Sequence, residues 1–132
     1  SASLEVVYNA YLNPDAMAKW LPPHGFIAKI HHHEAREGGT YRMTFVEIAT
    51  GVENSFGGKY LELIPNKLIR STDIFDDPNL VGEMEVTVEF TQVSLGTELK
   101  IVQRVIPDVI PLDACYIGWQ QSMALLALLV NT

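Results

Sequence analysis

Residues 26–105 alternate between apolar and polar side chains at a spacing of two, and a long apolar segment follows them. Alternation at this spacing predicts β-strands. The predicted strands are residues 26–34, 40–47, 55–64, 67–75, 82–92 and 96–105. Turn-forming residues lie between them, and the gaps are too short for parallel crossovers. The sequence therefore predicts an antiparallel meander.

Helices are predicted on both sides of the strands. Two short helices are expected at Leu4–Leu12 and Pro14–Trp20, because the fixed backbone angle of proline suits a first helical turn. A long helix is predicted over 111–130, where apolar residues recur every three or four positions and form a stripe for packing. The expected fold class is α+β, with a curved antiparallel sheet of about six or seven strands wrapped around the terminal helix.

Composition limits the class of protein. The chain has 132 residues, 48% of them hydrophobic, which suits a single domain over 1–132. The longest apolar tract, 124–130, is far shorter than the roughly 20 residues of a membrane helix. The net charge of −7 disfavours nucleic acid and anionic membranes as partners. The lone Cys115 suits a reducing compartment. We therefore expect a cytoplasmic protein that binds neither nucleic acid nor membranes.

Three consecutive histidines, His31, His32 and His33, are candidate metal ligands because imidazoles bind zinc. Neighbouring residues of a strand point to opposite faces. His32 would then continue the inner face, while His31 and His33 would be exposed. At most two of them converge, and a third ligand such as His24 would have to come from elsewhere. We favour surface or packing roles, and we expect neither a metal nor another cofactor.

Two polar residues within strands are candidates for contact with a ligand. Asp73 would be a partly buried carboxylate, able to act as acid or base, if it shared the inner face with Ser71 and Phe75. The alternation leaves the opposite orientation open, and a structural or exposed role is favoured. Gln103 lies among apolar residues at a spacing of two, and a buried amide needs a partner. An internal hydrogen bond is favoured there over a ligand.

The glycine pairs and the cysteine indicate no chemistry. Gly38-Gly39 and Gly57-Gly58 lack the pattern of a phosphate loop. The pairs are interpreted as a hairpin turn and as strand glycines that let the sheet bend or a ligand approach closely. Cys115 has no cue for a base or an electropositive setting, and we interpret it as a packing residue. No catalytic residue is assigned.

Six motifs run in order through the chain. They are Ala18-Lys19-Trp20-Leu21-Pro22, Arg36-Glu37-Gly38-Gly39-Thr40-Tyr41-Arg42, Gly58-Lys59-Tyr60-Leu61-Glu62-Leu63-Ile64-Pro65, Val86-Thr87-Val88, Gly96-Thr97-Glu98-Leu99 and Gly118-Trp119. Together they resemble the SRPBCC superfamily of START and Bet v-like helix-grip domains. Within it, the chain resembles the bacterial homologues of the activator of Hsp-90 ATPase.

Members of that family begin with a strand ahead of the first helix. The resemblance therefore implies that this strand is missing or truncated in a chain where only Ser1-Ala2-Ser3 precede the helix. An uncovered strand edge invites pairing with another chain. A homodimer or an upstream segment would satisfy it.

The resemblance implies a cavity between sheet and terminal helix that can hold an apolar small molecule. The residues expected to line it are Tyr41, Met43, Phe45, Phe75, Met84, Val88, Gln103, Tyr116, Trp119 and Met123. Two other functions stay open, since a fold alone is a weak guide to function. One is a co-chaperone-like module that docks its acidic surface on an Hsp-90-type chaperone. The other is an enzyme of the cyclase or dehydrase kind that uses Asp73 or His32.

Overall fold

The computed structural model describes residues 2–77, 82–104 and 112–130, with side chains for all of these except 112–120. Two short helices come first, six strands follow, and a long helix ends the described chain. The elements are α1 Leu4–Leu12, α2 Pro14–Trp20, β1 Phe26–His33, β2 Thr40–Glu47, β3 Glu53–Ile64, β4 Leu68–Phe75, β5 Glu83–Val93, β6 Gly96–Arg104 and α3 Leu112–Val130. Among the described residues, no helix is both long and apolar enough to cross a membrane.

The strands form one antiparallel sheet in chain order, so that each strand pairs with its neighbours in the sequence. The predicted α+β fold and the antiparallel meander are confirmed. Strand β3 begins at Glu53, earlier than predicted, because Glu53 and Asn54 still pair with Val46 and Phe45 of β2. Only the hairpin turn separates these two strands.

One register shift changes which histidine faces inward. Ile30 pairs with Met43, and His33 pairs with Tyr41, so His31 is an extra residue in β1. An extra residue reverses the alternation beyond it. His33 therefore follows the inner face and is half-buried, whereas His32 is exposed. The prediction that His32 would face inward and His33 outward is wrong, and its assumption of an unbroken strand is the reason.

Side-chain caps define the start of both short helices. The hydroxyl of Ser3 accepts a hydrogen bond from the Val6 amide at 3.4 Å at the start of α1. The side chain of Asn13 accepts hydrogen bonds from the amides of Asp15 and Ala16 at 2.9 and 3.2 Å at the start of α2. Such caps satisfy amides that have no partner within the helix. The short helices have the predicted bounds.

Trp20 joins the two short helices to the core. Its side chain is 0% exposed, and its indole nitrogen donates to the carbonyl oxygen of Ala10 at 2.9 Å. Its ring lies 4.6 Å from the ring of Tyr11, and Tyr11 in turn meets Phe90 of β5 edge-on at 5.4 Å. The indole therefore satisfies a carbonyl in the last turn of α1 while α1 packs on the inner face of the sheet.

The second half of α3 packs against the same core. Leu126 and Ser122 are buried, and Met123 and Val130 pack against the core as half-buried residues. Ser122 donates a hydrogen bond to the carbonyl oxygen of Leu21 at 2.6 Å. The predicted apolar stripe is thus in contact with the core over 122–130. Its earlier members lie outside the residues whose side chains are described.

Trp20→Ala is expected to lower the free energy of unfolding by about 3–5 kcal/mol, because it empties a fully buried site and leaves the Ala10 carbonyl unsatisfied. Urea denaturation followed by circular dichroism would measure the loss. Leu128→Ala is the control, since Leu128 is 69% exposed, and it should change stability by less than about 0.5 kcal/mol. Equal losses in the two variants would contradict the role given to Trp20.

Candidate functional site

A cavity of about 920 Å³ lies between the inner face of the sheet and the helices. All six strands contribute to its wall, from Phe26 of β1 to Gln103 of β6. Tyr11, Trp20 and Ser122 bring in the three helices on the opposite side. A volume of this size falls within the roughly 300–1,000 Å³ of sites that bind small molecules.

Most of the side chains expected to line a cavity lie around this one. They are Tyr41, Met43, Phe45, Phe75, Met84, Val88 and Gln103. Met123 lines a separate groove of about 450 Å³ between β6, α1 and α3. Tyr116 and Trp119 lie where the structure describes no side chains. That these residues bind a ligand stays a prediction.

Other lining residues were not among the candidates from the sequence. The helices contribute Tyr11, Met17 and Trp20, which a search for strand alternation does not detect. The strands contribute Phe56 and Tyr60 of β3 as well. These two aromatic residues are four positions apart, a spacing that places them on one face of a strand. The sequence therefore contained the information needed to predict them.

Asp73 faces the cavity. It lines the wall together with Ile69, Ser71 and Phe75, the residues of β4 that share its face. The inward orientation, one of two that the sequence left open, is the observed one. The residue as a whole is half-buried, and its remaining surface borders the cavity. Its carboxyl is removed from bulk water, and this burial raises the pKa of Asp73 to about 8.

The hydroxyl of Tyr41 holds the Asp73 carboxyl in place. It donates a hydrogen bond to Oδ1 of Asp73 and lies 2.6 Å from the carbonyl oxygen of Thr72. Tyr41 itself is buried on β2, two strands away from β4. Its side chain therefore reaches across the inner face of β3 to the carboxyl.

Gly58 of β3 makes this reach sterically feasible. A Cβ at this position would lie 1.7 Å from the carbonyl oxygen of Thr72 and 2.8 Å from the hydroxyl of Tyr41. Both distances are too short for a real side chain, and one of them involves backbone. The close approach of a ligand to the strand glycines stays a prediction, because the groups close to Gly58 belong to the protein. The approaching groups are Tyr41 and Thr72 of the chain itself.

The histidines bind separate hydroxyl groups. His31 Nε2 lies 2.7 Å from Thr44 Oγ1, and His32 Nε2 lies 2.9 Å from Thr40 Oγ1. His33 Nε2 lies 2.6 Å from the hydroxyl of Tyr60, a cavity residue. Within the described ranges, no group of three His, Cys, Asp or Glu side chains is placed to hold a metal ion.

His33 and Tyr60 form an uncharged hydrogen-bonded pair, in which Tyr60 lines the cavity. Burial lowers the pKa of His33, and the nearby His32 lowers it further. Burial likewise raises the pKa of the Tyr60 hydroxyl. Because both shifts favour the uncharged forms, this pair adds hydrogen bonding but no charge to the site.

The sheet, the helices over its inner face and the cavity between them define a helix-grip domain. The family model for Activator of Hsp90 ATPase homolog 1-like protein matches residues 1–131, and the chain belongs to this family. The family resemblance seen in the motifs is thereby confirmed.

Solved structures agree with this assignment. A crystal structure of a protein from Chromobacterium violaceum is 52% identical, with a TM-score of 0.97, over 99% of this chain and 91% of that one. The solution structure of an AHSA1-like protein from Aeromonas hydrophila has a TM-score of 0.77 at 17% identity, over 98% of this chain and 85% of that one. At that identity, the likeness concerns the fold alone. No curated protein matches the chain significantly.

Asp73→Asn is expected to remove a pH dependence of stability. The folded protein keeps the Asp73 proton up to a pKa of about 8, whereas the ordinary value is 3.8. Between these values the folded state binds more protons than the unfolded state. Wild-type stability should therefore fall as pH rises through this window, by up to about 1.4 kcal/mol per pH unit. Urea unfolding at several pH values would measure the decline.

The variant Asp15→Asn serves as the control for that experiment, because Asp15 is an exposed carboxylate at the start of α2. This variant should keep the wild-type decline. An identical pH dependence in wild type and Asp73→Asn would mean that the Asp73 carboxyl is ionised in the folded protein at neutral pH.

Proposed function

We propose that this protein binds a small molecule with a largely apolar body in the cavity between sheet and helices. The observation that supports this most is the cavity volume of about 920 Å³ in a chain of only 132 residues. Protein interiors are normally close-packed, and voids larger than a water molecule are few. This cavity opens to solvent, so its mainly apolar lining faces water and lacks packing contacts. A bound molecule would restore them.

The chemistry of the wall favours an apolar or aromatic ligand body. Phe45, Phe56 and Phe75 form a continuous aromatic wall, with ring centroids 5.0 and 5.7 Å apart. Met43 and Met84 line the same cavity, and methionine adapts its shape to irregular partners. Burial of ligand carbon against such a wall contributes about 25 cal/mol per Å².

A few polar groups interrupt this apolar wall. The hydroxyl of Tyr41 and the carboxyl of Asp73 form one polar group in the lining, and the amide of Gln103 of β6 is a second. Small-molecule sites typically combine a mainly apolar lining with few polar groups that fix orientation. The arrangement supports a ligand that carries polar groups on a largely apolar body.

Binding is better supported than catalysis. A cyclase or dehydrase needs an acid and a base around the same substrate atoms. Asp73 lines the cavity, but the side chain of His32 is exposed and bonded to Thr40 outside the lining. Of the two residues suggested for an enzyme, Asp73 or His32, only Asp73 therefore lines the cavity.

Ser71→Trp is expected to weaken binding of an uncharged apolar fluorescent probe such as N-phenyl-1-naphthylamine, because an indole at this position occupies part of the cavity beside the aromatic wall. Ser71 lines the cavity beside Asp73 on β4. Ile74→Trp is the matched control, since Ile74 lies on the same strand but on its exposed face. Fluorescence titration should show wild-type affinity for the control and at least about a tenfold loss for Ser71→Trp. Equal affinities in both variants would place the probe elsewhere.

A second candidate is interaction with an Hsp90-type chaperone, which the name of the family suggests. The net charge of −7 would support docking on a basic chaperone surface. For this function, adding the protein should raise the ATPase rate of such a chaperone, with an effect that weakens as salt is added. An unchanged ATPase rate at low salt would exclude it.

A further inference from the structure

The charged side chains around the cavity are all acidic. Asp73 lies in the wall, and Glu53, Asp76 and Asp77 line the exposed rim. None of the described lining residues is Lys, Arg or His. The segments without described side chains, 78–81, 105–120 and 131–132, contain none of these residue types either. Among the described residues, no basic side chain lines this cavity.

The acidic side chains of the rim and of the wall have different partners. At the rim, Lys29 pairs with Glu53 at 3.3 Å, and Arg42 pairs with Asp76. Both pairs are in contact with solvent, where such interactions contribute little. In the wall, the Asp73 carboxyl has the neutral hydroxyl of Tyr41 as its hydrogen-bond donor. In contrast to Glu53 and Asp76, Asp73 has no ion-pair partner among the described side chains.

This carboxyl is costly to ionise while the cavity contains no cation. Desolvation is the cause of its raised pKa, and a desolvated carboxylate becomes favourable only when an opposite charge comes close. A cation in the cavity would meet the carboxyl together with nearby aromatic rings. Tyr41 bonds to the carboxyl, and Phe75 lies next to it on the same face of β4. Aromatic faces attract cations as well.

We propose that the ligand class of this cavity is a hydrophobic amine, whose protonated nitrogen pairs with Asp73 while its apolar body packs on the aromatic wall. The inference rests on the proposed small-molecule binding and specifies the charge of the ligand. The ammonium group favours the ionised carboxyl, so Asp73 releases its proton to solvent on binding. An anionic ligand would leave Asp73 protonated and would find no basic partner among the described lining residues, so burial of its charge in the wall would be uncompensated.

Three probes with the same ring system and different polar ends test this inference: naphthylethylamine, naphthylethanol and naphthylacetate. Each is titrated into the full chain and into Asp73→Asn, which keeps the side-chain shape and removes the negative charge. Asp15→Asn, with an exposed carboxylate, is the charge-matched control. Isothermal titration calorimetry gives the dissociation constants. In wild type and in the control, the amine should bind at least about tenfold more tightly than the alcohol, with the acetate weakest. Asp73→Asn should bind amine and alcohol about equally.

The other outcomes separate the two claims. Wild-type binding of all three probes without preference, or with preference for the acetate, would overturn the inferred amine and leave the proposed binding function standing. A preference for the amine that persists in Asp73→Asn would overturn the role of Asp73. Binding of none of the three probes would count against the proposed function and the inference together. If Asp73→Asn fails to fold, the ranking of the probes in wild type still decides for or against an amine.

Discussion

The burial of Trp20 is the interaction on which the cavity depends. Its indole bonds to the backbone of α1, packs against the tilted ring of Tyr11 and also lines the cavity. The turn that follows is tied to α3, because Ser122 bonds to the carbonyl of Leu21 and the side chain of Gln121 accepts a hydrogen bond from the His24 amide. These contacts hold three helices over one side of the sheet. The helices contact one another, and α2 also contacts β1 while α1 contacts β5 and β6, so the cavity lies between these contacts.

The hydrogen bond between Tyr41 and Asp73 in the cavity depends on a different constraint, the absence of a side chain at Gly58. Without this space the Tyr41 hydroxyl would not reach the backbone of Thr72 and the carboxyl of Asp73. Three neighbouring strands thus contribute to one small arrangement: a donor from β2, a gap from β3 and a carboxyl from β4. Because all three are held by the sheet, the carboxyl has a fixed position relative to the aromatic wall. A preorganised group of this kind suits selection of a ligand by its polar end.

The sequence predicted the architecture well because each element carries its own local signal. Alternation indicated the strands, and Pro14 indicated the start of the second short helix, where the structure has it. The orientation of side chains was harder to predict. One extra residue at His31 reversed the inner and outer faces of β1, and no local pattern marks such a bulge. For Asp73 both faces of β4 looked similar, and only pairing with the neighbouring strands decides between them.

The residues that line the candidate site could be predicted best where they lie on strands. Tyr41, Met43 and Phe45 were found because one alternating strand carries them on one face. The contribution of Trp20 comes from a separate helix and depends on packing between distant parts of the chain. The link between Tyr41 and Asp73 spans 32 positions of sequence. No spacing rule connects residues so far apart.

The central claim is that the cavity holds a small molecule. Native mass spectrometry of the full-length protein, purified gently from its own cells, tests it most directly. The account predicts a discrete mass above that of the polypeptide, which is lost on denaturation and belongs to a mainly apolar compound. A protein that carries only its polypeptide mass, while a control protein keeps its known ligand under the same conditions, would contradict the account.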